Sequence, residues 1–302
     1  KQTHYMFEEL YVNGYITEKE QTLPYCTNDE RFLPDRYIEG ECPSCGGLAR
    51  GDQCDECGNL LEPEEIIEPE CQICGGHDIE FKETTHLYLD LPQFKEELKE
   101  WIENADPQPV PDSILKEVEN AIDGTEQRCI TRDIDWGFEI PSERVNERIE
   151  EEGLEVEKID EERYEDKVLY VWFDAPIGYI SITEEHRDDW QSHWQGDDIH
   201  LTQFMGKDNI PFHSVMFPAT LLGADDDWHV IDTLESNEYL NYEDKQFSKS
   251  NGVGIFGDDA METGIPADSW RYYVIRNRPA KSDTTFTWED FQEKHNAELI
   301  GC

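Results

Sequence analysis

The stretch HLTQFMGKDNIPFHSVMFPATLL, residues 200–222, decides the fold that this sequence predicts. Residues 200–205 form a short run of strand-forming side chains, and the turn GKDN follows directly. Pro211 then stands where a helix would begin. Apolar side chains recur after it at helical spacing, at Phe212, Val215, Ala219 and Leu222. A strand, a tight turn and a helix in this order are the repeating unit of an open α/β sheet.

Two further apolar runs lie on either side of this unit. Residues 168–173, VLYVWF, are continuously apolar and flanked by charge, and residues 228–231, WHVI, form a shorter run. Strands separated by helices of this length predict a parallel, doubly wound sheet. Ligands bind beyond the carboxyl ends of the strands in such sheets. We therefore expect the chemistry just after residues 173 and 205, and beyond residue 231.

Polar and unusual side chains follow each of the three predicted strands. The first strand runs into WFDAPIGY, residues 172–179, and the second into Gly206, Lys207 and Asp208, with His213 farther along the helix. Beyond the third strand lies the loop FSKSNG, residues 247–252. It offers one ammonium group and two hydroxyl groups to a phosphate. Each signal is weak alone, because helix histidines, core aromatic residues and Ser/Lys/Gly turns are common without a catalytic role.

The cysteine spacing predicts a metal site rather than disulfides. Cys42 and Cys45 are followed by Cys54 and Cys57, and each pair is trailed by glycine. Two such turns direct four thiolates at one tetrahedral centre, and Zn²⁺ favours four sulfur ligands in structural sites. Four thiolates leave no open coordination position, so the metal would be structural and not catalytic. The glycines let backbone amides approach the sulfur atoms closely.

A third pair, Cys71 and Cys74, has the same appearance but needs two more ligands. Cys26 with Asp29 would supply them, while His77 is also a chemically able ligand. The alternative is a set of free thiols in a reducing compartment. The sequence therefore leaves open whether one or two zinc ions bind.

Cysteine usage also bears on location. Metal-type spacing without a signal peptide predicts a cytoplasmic protein. We expect Cys129 and Cys302 to be unpaired.

The charge of the chain excludes several classes of protein. Its 302 residues include 25 Lys and Arg against 71 Asp and Glu, which gives a net charge of −46. Such a polyanion cannot capture nucleic acid on a basic face at low salt, nor bind an anionic membrane. Disorder is disfavoured by 8 Trp, 13 Tyr and 13 Phe, which supply a core. No apolar stretch reaches the roughly 18 residues that a membrane helix needs.

The acidic residues are spread along the whole chain rather than gathered in a tail. Concentrated salt screens their mutual repulsion within roughly 3 Å at 1 M. We therefore interpret the acidity as adaptation to a salt-rich cytoplasm. An acidic protein that binds basic partners is the competing interpretation, and it lacks the blocks of like charge that such partners prefer.

In this order, the motifs closely resemble the methionyl-tRNA synthetases, class I aminoacyl-tRNA synthetases of the archaeal and eukaryotic-cytosolic kind. The resemblance covers nearly all of the chain, and motifs of this length in this order are highly specific. With the acidity, it points to a halophilic archaeal source. The motifs are FLPDRY (32–37), RGDQC (50–54), LDLP (89–92), CITRD (129–133), VWFDAPIGY (171–179), FMGKDNIPFH (204–213), YLNYE (239–243) and IPADSWRYY (265–273).

The resemblance implies a reaction and its substrates. Methionine would be activated by ATP, with Mg²⁺, to methionyl-adenylate and then transferred to the 3′ end of tRNA. It also implies the fold: the second half of a doubly wound, Rossmann-like α/β catalytic domain, interrupted by a connective insertion that carries zinc knuckles.

The resemblance assigns the methionine pocket to five positions. They are Trp172, Ala175, Pro176, Tyr179 and His213. An unbranched apolar side chain suits an aromatic-lined slot, and its sulfur makes favourable contacts with aromatic rings. A hydrogen bond to that sulfur from Tyr179 or His213 would help to reject other apolar amino acids, although sulfur is a weak acceptor.

The ATP site is assigned in the same way. Gly206 and Asp208 correspond to contacts with the ribose, and Ser248, Lys249 and Ser250 to the mobile phosphate loop. Lys249 is implied as the catalytic residue that stabilises charge developing at the α-phosphate.

The chain departs from the family pattern in ways that matter. Gln246 and Asn251 stand where that loop usually carries a lysine and an arginine, which puts in doubt how strongly it holds phosphates. The family's His-x-Gly-His segment does not occur, and the first methionine is Met6. We therefore expect a fragment that starts inside the enzyme, stops before the anticodon-binding domain and is inactive alone.

The expected domain limits follow from these assignments. Residues 1–20 would end the first nucleotide-fold half, 21–166 would form the insertion with knuckles at about 26–80, 167–250 would hold the methionine and ATP sites, and 251–302 would begin the stem-contact region. Helices are predicted at residues 94–102 and 113–122, and from near Asp268, capped by Asp or Ser, to before Pro279.

Two other functions compete with this one. A sister class I synthetase for Leu, Ile, Val or Cys would share the sheet and the phosphate loop. A non-enzymatic zinc module that binds RNA or protein would need only the knuckles. For a synthetase, the tRNA partner conflicts with the negative charge unless the working solvent is molar salt.

Overall fold

The computed structural model describes residues 1–34, 37–51, 53, 54, 57, 61, 63–104, 109–196, 198–224, 226–249 and 252–301. The chain divides into two compact units. Unit 1 comprises Lys1–Leu98, Gly124–Ile199 and Met216–Val230, and unit 2 comprises Lys99–Asp123, His200–Val215 and Ile231–Cys302.

Ten α-helices lie in the described part of the chain: α1 (Gln2–Val12), α2 (Lys95–Asn104), α3 (Leu115–Asp123), α4 (Ser142–Glu152), α5 (Glu161–Tyr164), α6 (Val171–His186), α7 (Phe217–Leu222), α8 (Gly257–Glu262), α9 (Ala267–Arg276) and α10 (Trp288–Lys294). Shorter turns of 3₁₀-helix are Pro63–Glu65, Leu91–Phe94, Trp190–His193 and Lys207–Asn209, and π-helical turns are Phe212–Met216 and His295–Ile300. None of these helices is both long and apolar enough to cross a membrane.

The described strands number sixteen: β1 (Ile16–Cys26), β2 (Arg31–Phe32), β3 (Ile38–Glu41), β4 (Leu48–Arg50), β5 (Gln53–Cys54), β6 (Ile67–Cys71), β7 (Ile79–Leu89), β8 (Arg128–Cys129), β9 (Thr131–Arg132), β10 (Phe138–Glu139), β11 (Val168–Leu169), β12 (Thr202–Gly206), β13 (Thr233–Asn237), β14 (Leu240–Tyr242), β15 (Lys245–Gln246) and β16 (Thr284–Phe286).

A long antiparallel ribbon organises unit 1. Strands β1 and β7 pair without interruption, from Ile16 opposite Leu89 to Cys26 opposite Ile79. Strands β2 and β8 extend this sheet at its two edges. The expected domain boundary at residue 20 falls inside β1. Because Cys26 and Ile79 are directly paired, the cysteine-rich segment between them begins and ends at one tip of the ribbon.

That segment folds around its own small antiparallel sheet, in the order β5-β4-β3-β6. The pairing of β3 with β6 shifts register between Glu39 and Glu41, and Gly40 lies at the shift. A Cβ atom on Gly40 would lie 2.5 Å from a methyl carbon of Ile66 and 2.6 Å from the carbonyl oxygen of Ile67. Only glycine fits there, so the sheet depends on it.

Helices α1 and α6 build the core of the other part of unit 1. Met6, Phe7 and Leu10 of α1 are fully buried, and the Phe7 ring meets the ring of Phe173 edge-on with centroids 6.5 Å apart. Close packing continues at Gly223, where a Cβ atom would lie 2.5 Å from a methyl carbon of Leu10.

The strand predicted at residues 168–173 is wrong beyond Leu169. Only Val168–Leu169 is strand, and helix α6 begins at Val171. Tyr170 is extended and precedes the helix, after which Phe173, Ile177 and Ile180 are buried at helical spacing. A short continuously apolar run contains no periodicity that separates a strand from a buried helix, which is why the sequence misled us.

The strand predicted at residues 200–205 is present in unit 2 as β12. Strands β12 and β13 pair in parallel, with Thr202 opposite Thr233 and Gly206 opposite Asn237. The predicted strand at residues 228–231 is wrong, because β13 starts at Thr233. Ile231 is buried in an irregular segment, where its carbonyl accepts a hydrogen bond of 3.0 Å from Trp101 Nε1.

The helix predicted after Pro211 is present but irregular. It passes through the π-helical turn Phe212–Met216 into α7. Pro218 follows that turn and has no N–H to donate to the carbonyl four residues back. Val215 and Ala219 are buried as predicted, whereas Leu222 is exposed.

The remaining helix predictions are confirmed with one exception. Helices α2 and α3 match the two predicted in the distal insertion, and α9 ends at Arg276, before Pro279. However, α9 is preceded by Pro266 and has no side-chain cap, so the expected Asp or Ser cap is wrong. Its Tyr273 packs in an aromatic cluster with Phe286 and Phe291.

Candidate functional site

The first four predicted metal ligands converge. The Sγ atoms of Cys42 and Cys57 are 3.9 Å apart, and those of Cys45 and Cys54 are 3.6 Å apart. A tetrahedral zinc ion with Zn–S bonds of about 2.3 Å requires sulfur atoms about 3.8 Å apart, whereas a disulfide needs about 2.0 Å. The four ligand atoms all lie within 4.8 Å of one another, so this group fits a structural zinc ion.

Backbone amides surround these sulfur atoms. The N–H groups of Ser44 and Gly47 donate to the sulfur atoms of Cys42 and Cys45, each at 3.4 Å. Donors of this kind favour the thiolate form that a metal needs. The glycine expected to allow this approach does so at Gly47, and Gly58 lies outside the described residues.

The second group is also assembled. Cys26 and Cys74 bring their Sγ atoms to 3.6 Å, and the Sγ atom of Cys71 lies 3.2 Å from Oδ2 of Asp29. The four ligand atoms lie within 4.8 Å of one another. Three thiolates and one carboxylate are an acceptable zinc donor set.

Two residues outside this group answer open questions. His77 is not part of it, and its Nδ1 atom instead lies 3.0 Å from the carbonyl oxygen of Pro69. Cys129 forms no disulfide, as expected, and its thiol lies 3.4 Å from the carbonyl oxygen of Thr131. Cys302 lies outside the described residues.

Four of the five predicted methionine residues lie on α6 in unit 1. Trp172, Ala175 and Tyr179 occupy one face of the helix at spacings of three and four residues, and all three are exposed. The Tyr179 ring is held edge-on against Phe217, with centroids 6.1 Å apart. Pro176 is buried inside the helix, so it shapes α6 rather than its open face.

The fifth residue, His213, lies on the π-helical turn of unit 2. Its side chain is 8% exposed, and burial lowers the pKa of the imidazole. The Nδ1 atom donates to the carbonyl oxygen of Asn209 at 2.9 Å. The neutral ring then carries no hydrogen on Nε2, so Tyr179 is the better of the two predicted donors to a thioether.

The predicted ribose contacts follow the carboxyl end of β12. Gly206 is the last residue of the strand, and no atom lies within 4 Å of where its Cβ would be. Asp208 comes two residues later, is exposed, and accepts a hydrogen bond from the hydroxyl group of Tyr239. Tyr239 lies in the motif YLNYE, but its contact with Asp208 could not be predicted, because no local pattern links it to a residue 31 positions away.

The predicted phosphate loop follows β15, and its described residues are Phe247, Ser248, Lys249 and Gly252. Ser248 and Val253 exchange backbone hydrogen bonds of 2.8 and 2.9 Å, and the N–H of Gly252 donates to the carbonyl oxygen of Lys249 at 3.2 Å. The turn exposes Lys249. Gln246 is exposed in β15, whereas Ser250 and Asn251 lie outside the described residues.

A buried polar network in unit 1 was also missed. His86 is fully buried, with Nε2 at 2.9 Å from Asp133 and Nδ1 at 2.8 Å from the hydroxyl group of Thr131. Lys167 forms an ion pair with Asp133 and donates to Thr84 at 2.7 Å. Burial lowers the pKa of His86. Burial would raise the pKa of Asp133, but its hydrogen bonds with His86 and Lys167 outweigh this effect and keep that pKa low.

Comparison with known proteins identifies the class. Residues 1–302 match the family of tRNA synthetases class I (M) over the entire chain. The chain belongs to this family of class I aminoacyl-tRNA synthetases.

Its relatives include methionine–tRNA ligases from bacteria. The enzyme of Borrelia duttonii is 48% identical over 299 residues, which are 98% of this chain and 38% of that protein. The enzyme of Treponema denticola is 47% identical over 307 residues, covering 99% of this chain and 36% of the relative. The chain therefore spans less than two fifths of the length of these relatives. Because both relatives are bacterial, they do not support the expected archaeal origin.

Solved structures agree on the fold. The methionyl-tRNA synthetase of Mycobacterium tuberculosis in complex with methionyl-adenylate matches 99% of this chain with a TM-score of 0.66 at 20% identity, and 49% of that chain is covered. The free form of that enzyme matches with a TM-score of 0.63 at 19% identity, with the same coverage. The predicted α/β fold of a class I synthetase catalytic domain is confirmed.

Proposed function

We propose that this chain forms part of the catalytic domain of a methionine–tRNA ligase. The observation that carries the proposal is the 48% identity to such a ligase over 98% of the chain. The enzyme would activate L-methionine with ATP and pass it to tRNA(Met) for translation.

The first reaction joins an oxygen of the methionine carboxylate to the α-phosphorus of ATP. The bond between that phosphorus and the bridging oxygen of pyrophosphate breaks, which leaves methionyl-adenylate and pyrophosphate. Asp208 would accept a hydrogen bond from a ribose hydroxyl group beside Gly206. Lys249, exposed on its turn between Ser248 and Ser250, would stabilise the negative charge that develops on the α-phosphate. Mg²⁺ bound to ATP would neutralise the departing pyrophosphate.

Methionine would lie on the open face of α6. Trp172 and Tyr179 present aromatic surface there, and Ala175 between them leaves room for an unbranched side chain. Pro176 would contribute from within the helix. His213, whose pKa is lowered by burial, is the fifth residue that the family resemblance implies.

Two zinc ions would hold the cysteine-rich segment. Cys42, Cys45, Cys54 and Cys57 would bind one, and Cys26, Asp29, Cys71 and Cys74 the other. The distances between their ligand atoms support both sites. Each ion would crosslink a segment in which four of the nine residues of the buried cluster are themselves cysteines of the two groups.

We also propose limits for the domains and a salt-rich cytoplasm as the location of the enzyme. Residues 21–166 would be the insertion, 167–250 would hold the substrate sites, and 1–20 and 251–302 would belong to the flanking parts of the enzyme. The net charge of −46 supports a cytoplasm rich in salt, with an archaeal-type halophilic enzyme as the finer hypothesis.

Amino-acid-dependent exchange between ATP and pyrophosphate, measured on the full-length protein that contains this chain, tests the substrate. We expect methionine to support exchange far better than Leu, Ile, Val or Cys. A preference for any of those four would replace our proposal with a sister synthetase.

A non-enzymatic zinc module is the second candidate. It would predict that residues 26–80 bind tRNA as tightly as the full-length protein. The alignment of relatives over 98% of the chain, far beyond the knuckles, favours the enzyme.

A further inference from the structure

The carboxylate of Asp208 is held by a side chain from the neighbouring strand. Gly206 ends β12 opposite Asn237, which ends β13. Asp208 and Tyr239 each lie two residues beyond these paired positions. Because the two strands are parallel, the segments that leave them run side by side at one edge of the sheet. The hydroxyl group of Tyr239 donates to Oδ1 of Asp208 across this edge.

The backbone of Tyr239 is itself fixed on both sides. Its N–H donates to Oδ1 of Asp283 at 2.9 Å, and its carbonyl oxygen accepts a hydrogen bond of 3.0 Å from the N–H of Thr284. These two contacts tie Tyr239 to the segment that leads into β16. The phenol therefore extends toward Asp208 from an anchored position.

Lys207 anchors the ring of Tyr239. Its Nζ atom lies 4.3 Å from the ring centroid, a distance at which a cation is attracted to the aromatic face. The same Nζ atom lies 2.6 Å from Glu238 and 3.5 Å from Asp283. Lys207, the residue before Asp208, thus contacts the ring of Tyr239, the preceding residue Glu238, and Asp283, which accepts from the N–H of Tyr239.

This arrangement gives the carboxylate one orientation. The hydrogen bond from Tyr239 occupies Oδ1 and leaves Oδ2 to accept from another hydroxyl group. Asp208 itself is exposed, and the anchored hydroxyl group of Tyr239 is what holds its side chain in this orientation. The hydrogen bond to Asp208 also raises the pKa of Tyr239.

We propose that Tyr239 is a positioning residue for ATP: it orients Asp208 to accept a hydrogen bond from a ribose hydroxyl group, and Lys207 holds the Tyr239 ring in place. This rests on the proposed function, because it takes Asp208 as the ribose contact. Tyr239 acts through Asp208 and is not itself a catalytic residue.

The test compares three nucleotides in methionine-dependent pyrophosphate exchange by the full-length protein. ATP, 2′-deoxy-ATP and 3′-deoxy-ATP are assayed with the parent enzyme and with Tyr239→Phe. We expect KM for ATP to rise about tenfold in the variant with kcat within about twofold, the mark of lost binding rather than lost chemistry. We also expect the preference for ATP over the poorer deoxy analogue to fall toward one. An equal loss for all three nucleotides would indicate a merely structural role and overturn the proposal.

Asp208→Ala separates this proposal from the function on which it rests. We expect it to abolish the ribose preference, and the double variant with Tyr239→Phe to be no worse than Asp208→Ala alone. If Asp208→Ala keeps the preference, Asp208 does not bind the ribose and both ideas fail. If Asp208→Ala loses the preference while Tyr239→Phe retains it, the ribose contact stands and the positioning role is overturned.

Discussion

Trp172 and Tyr179 illustrate what a single side chain contributes at this site. Both are large aromatic residues, and yet 42% of Trp172 and 43% of Tyr179 are exposed. The opposite face of the helix buries Phe173, Ile177 and Ile180. Exposed aromatic surface of this kind is available to the methionine side chain that we propose binds there.

Replacing Trp172 with alanine removes most of the aromatic surface of that face. We expect Trp172→Ala to raise KM for methionine about tenfold or more, because a buried aromatic contact contributes about 1–2 kcal/mol. The measurement is methionine-dependent pyrophosphate exchange, and KM for ATP in the same preparation is the control. An unchanged KM for methionine would remove Trp172 from the pocket.

His86 makes a prediction about pH. Its pKa is below the ordinary value of 6.5 in the folded protein, so the unfolded chain binds the proton more readily. The stabilisation from a neutral His86 is complete above about pH 6.5 and is lost as the pH falls below it. Asp133 and Lys167 face the ring, and the low pKa of Asp133 acts in the same direction at still lower pH.

Urea unfolding at pH 7.5 and pH 5 measures this effect. We expect the free energy of unfolding to fall less steeply between these pH values in His86→Gln than in the parent, by at most about 1.4 kcal/mol per pH unit for one proton. The contributions of the other histidines are common to both proteins and cancel. Equal slopes would contradict the assignment.

The candidate site residues differ in whether their positions depend on neighbours in the sequence or on residues far along the chain. Cys42, Cys45, Cys54 and Cys57 could be predicted as one group from the sequence because each CxxC turn fixes two ligands at once, and their ligand atoms lie within 4.8 Å of one another. The link between Asp208 and Tyr239 could not, because it depends on the pairing of β12 with β13. The choice of Asp29 over His77 likewise depends on where the backbone of the segment passes.

The secondary structure elements repeat this distinction. Helices α2 and α3 were predictable because their apolar residues recur at helical spacing, and buried Val118 and Ile122 confirm it. The start of α6 was not predictable, because every residue from Val168 to Phe173 is apolar or aromatic. Such a run would be buried equally well as a strand or as a helix. Only packing against α1 decides between strand and helix there.

The cysteine-rich sheet should depend on its metal. Four of the nine residues in its buried cluster are metal-ligand cysteines, so we expect removal of one ligand to release one ion and to destabilise the local structure. Cys45→Ser should lower the zinc content by about one ion per chain, from about two. Asp29→Ala should lower it by one independently, whereas Asp29→Cys should retain it.

Zinc per chain, measured by atomic emission, checks this prediction. Cys129→Ser is the matched control, because Cys129 lies outside both groups. A content of one ion in the parent that Asp29→Ala does not lower would leave only the four-cysteine site.

At the scale of the whole molecule, charge is the dominant property. With a net charge of −46, repulsion acts on every part of the surface. If the full-length protein binds tRNA as we propose, recognition would rely on short-range contacts and on the few basic residues. Salt that screens repulsion should favour both the folded state and the complex.

We expect the melting temperature of the full-length protein to rise steadily from about 0.2 M to about 3 M KCl, and tRNA binding to strengthen over the same range. Most nucleic-acid-binding proteins behave in the opposite way, because salt opposes counterion release. Sucrose at matched osmolality controls for general exclusion effects. Tighter tRNA binding at low salt would contradict this account.

The ribbon of β1 and β7 has a consequence for how such enzymes diversify. Since Cys26 pairs with Ile79, the segment between these residues is joined to the ribbon at a single pair of neighbouring strand positions. A gene could shorten, duplicate or exchange that stretch, and a tight turn joining the two strands would close the gap without moving the ribbon's base. The ribbon is therefore a fixed attachment point at which one metal-binding segment could replace another while the remainder of unit 1 keeps its fold.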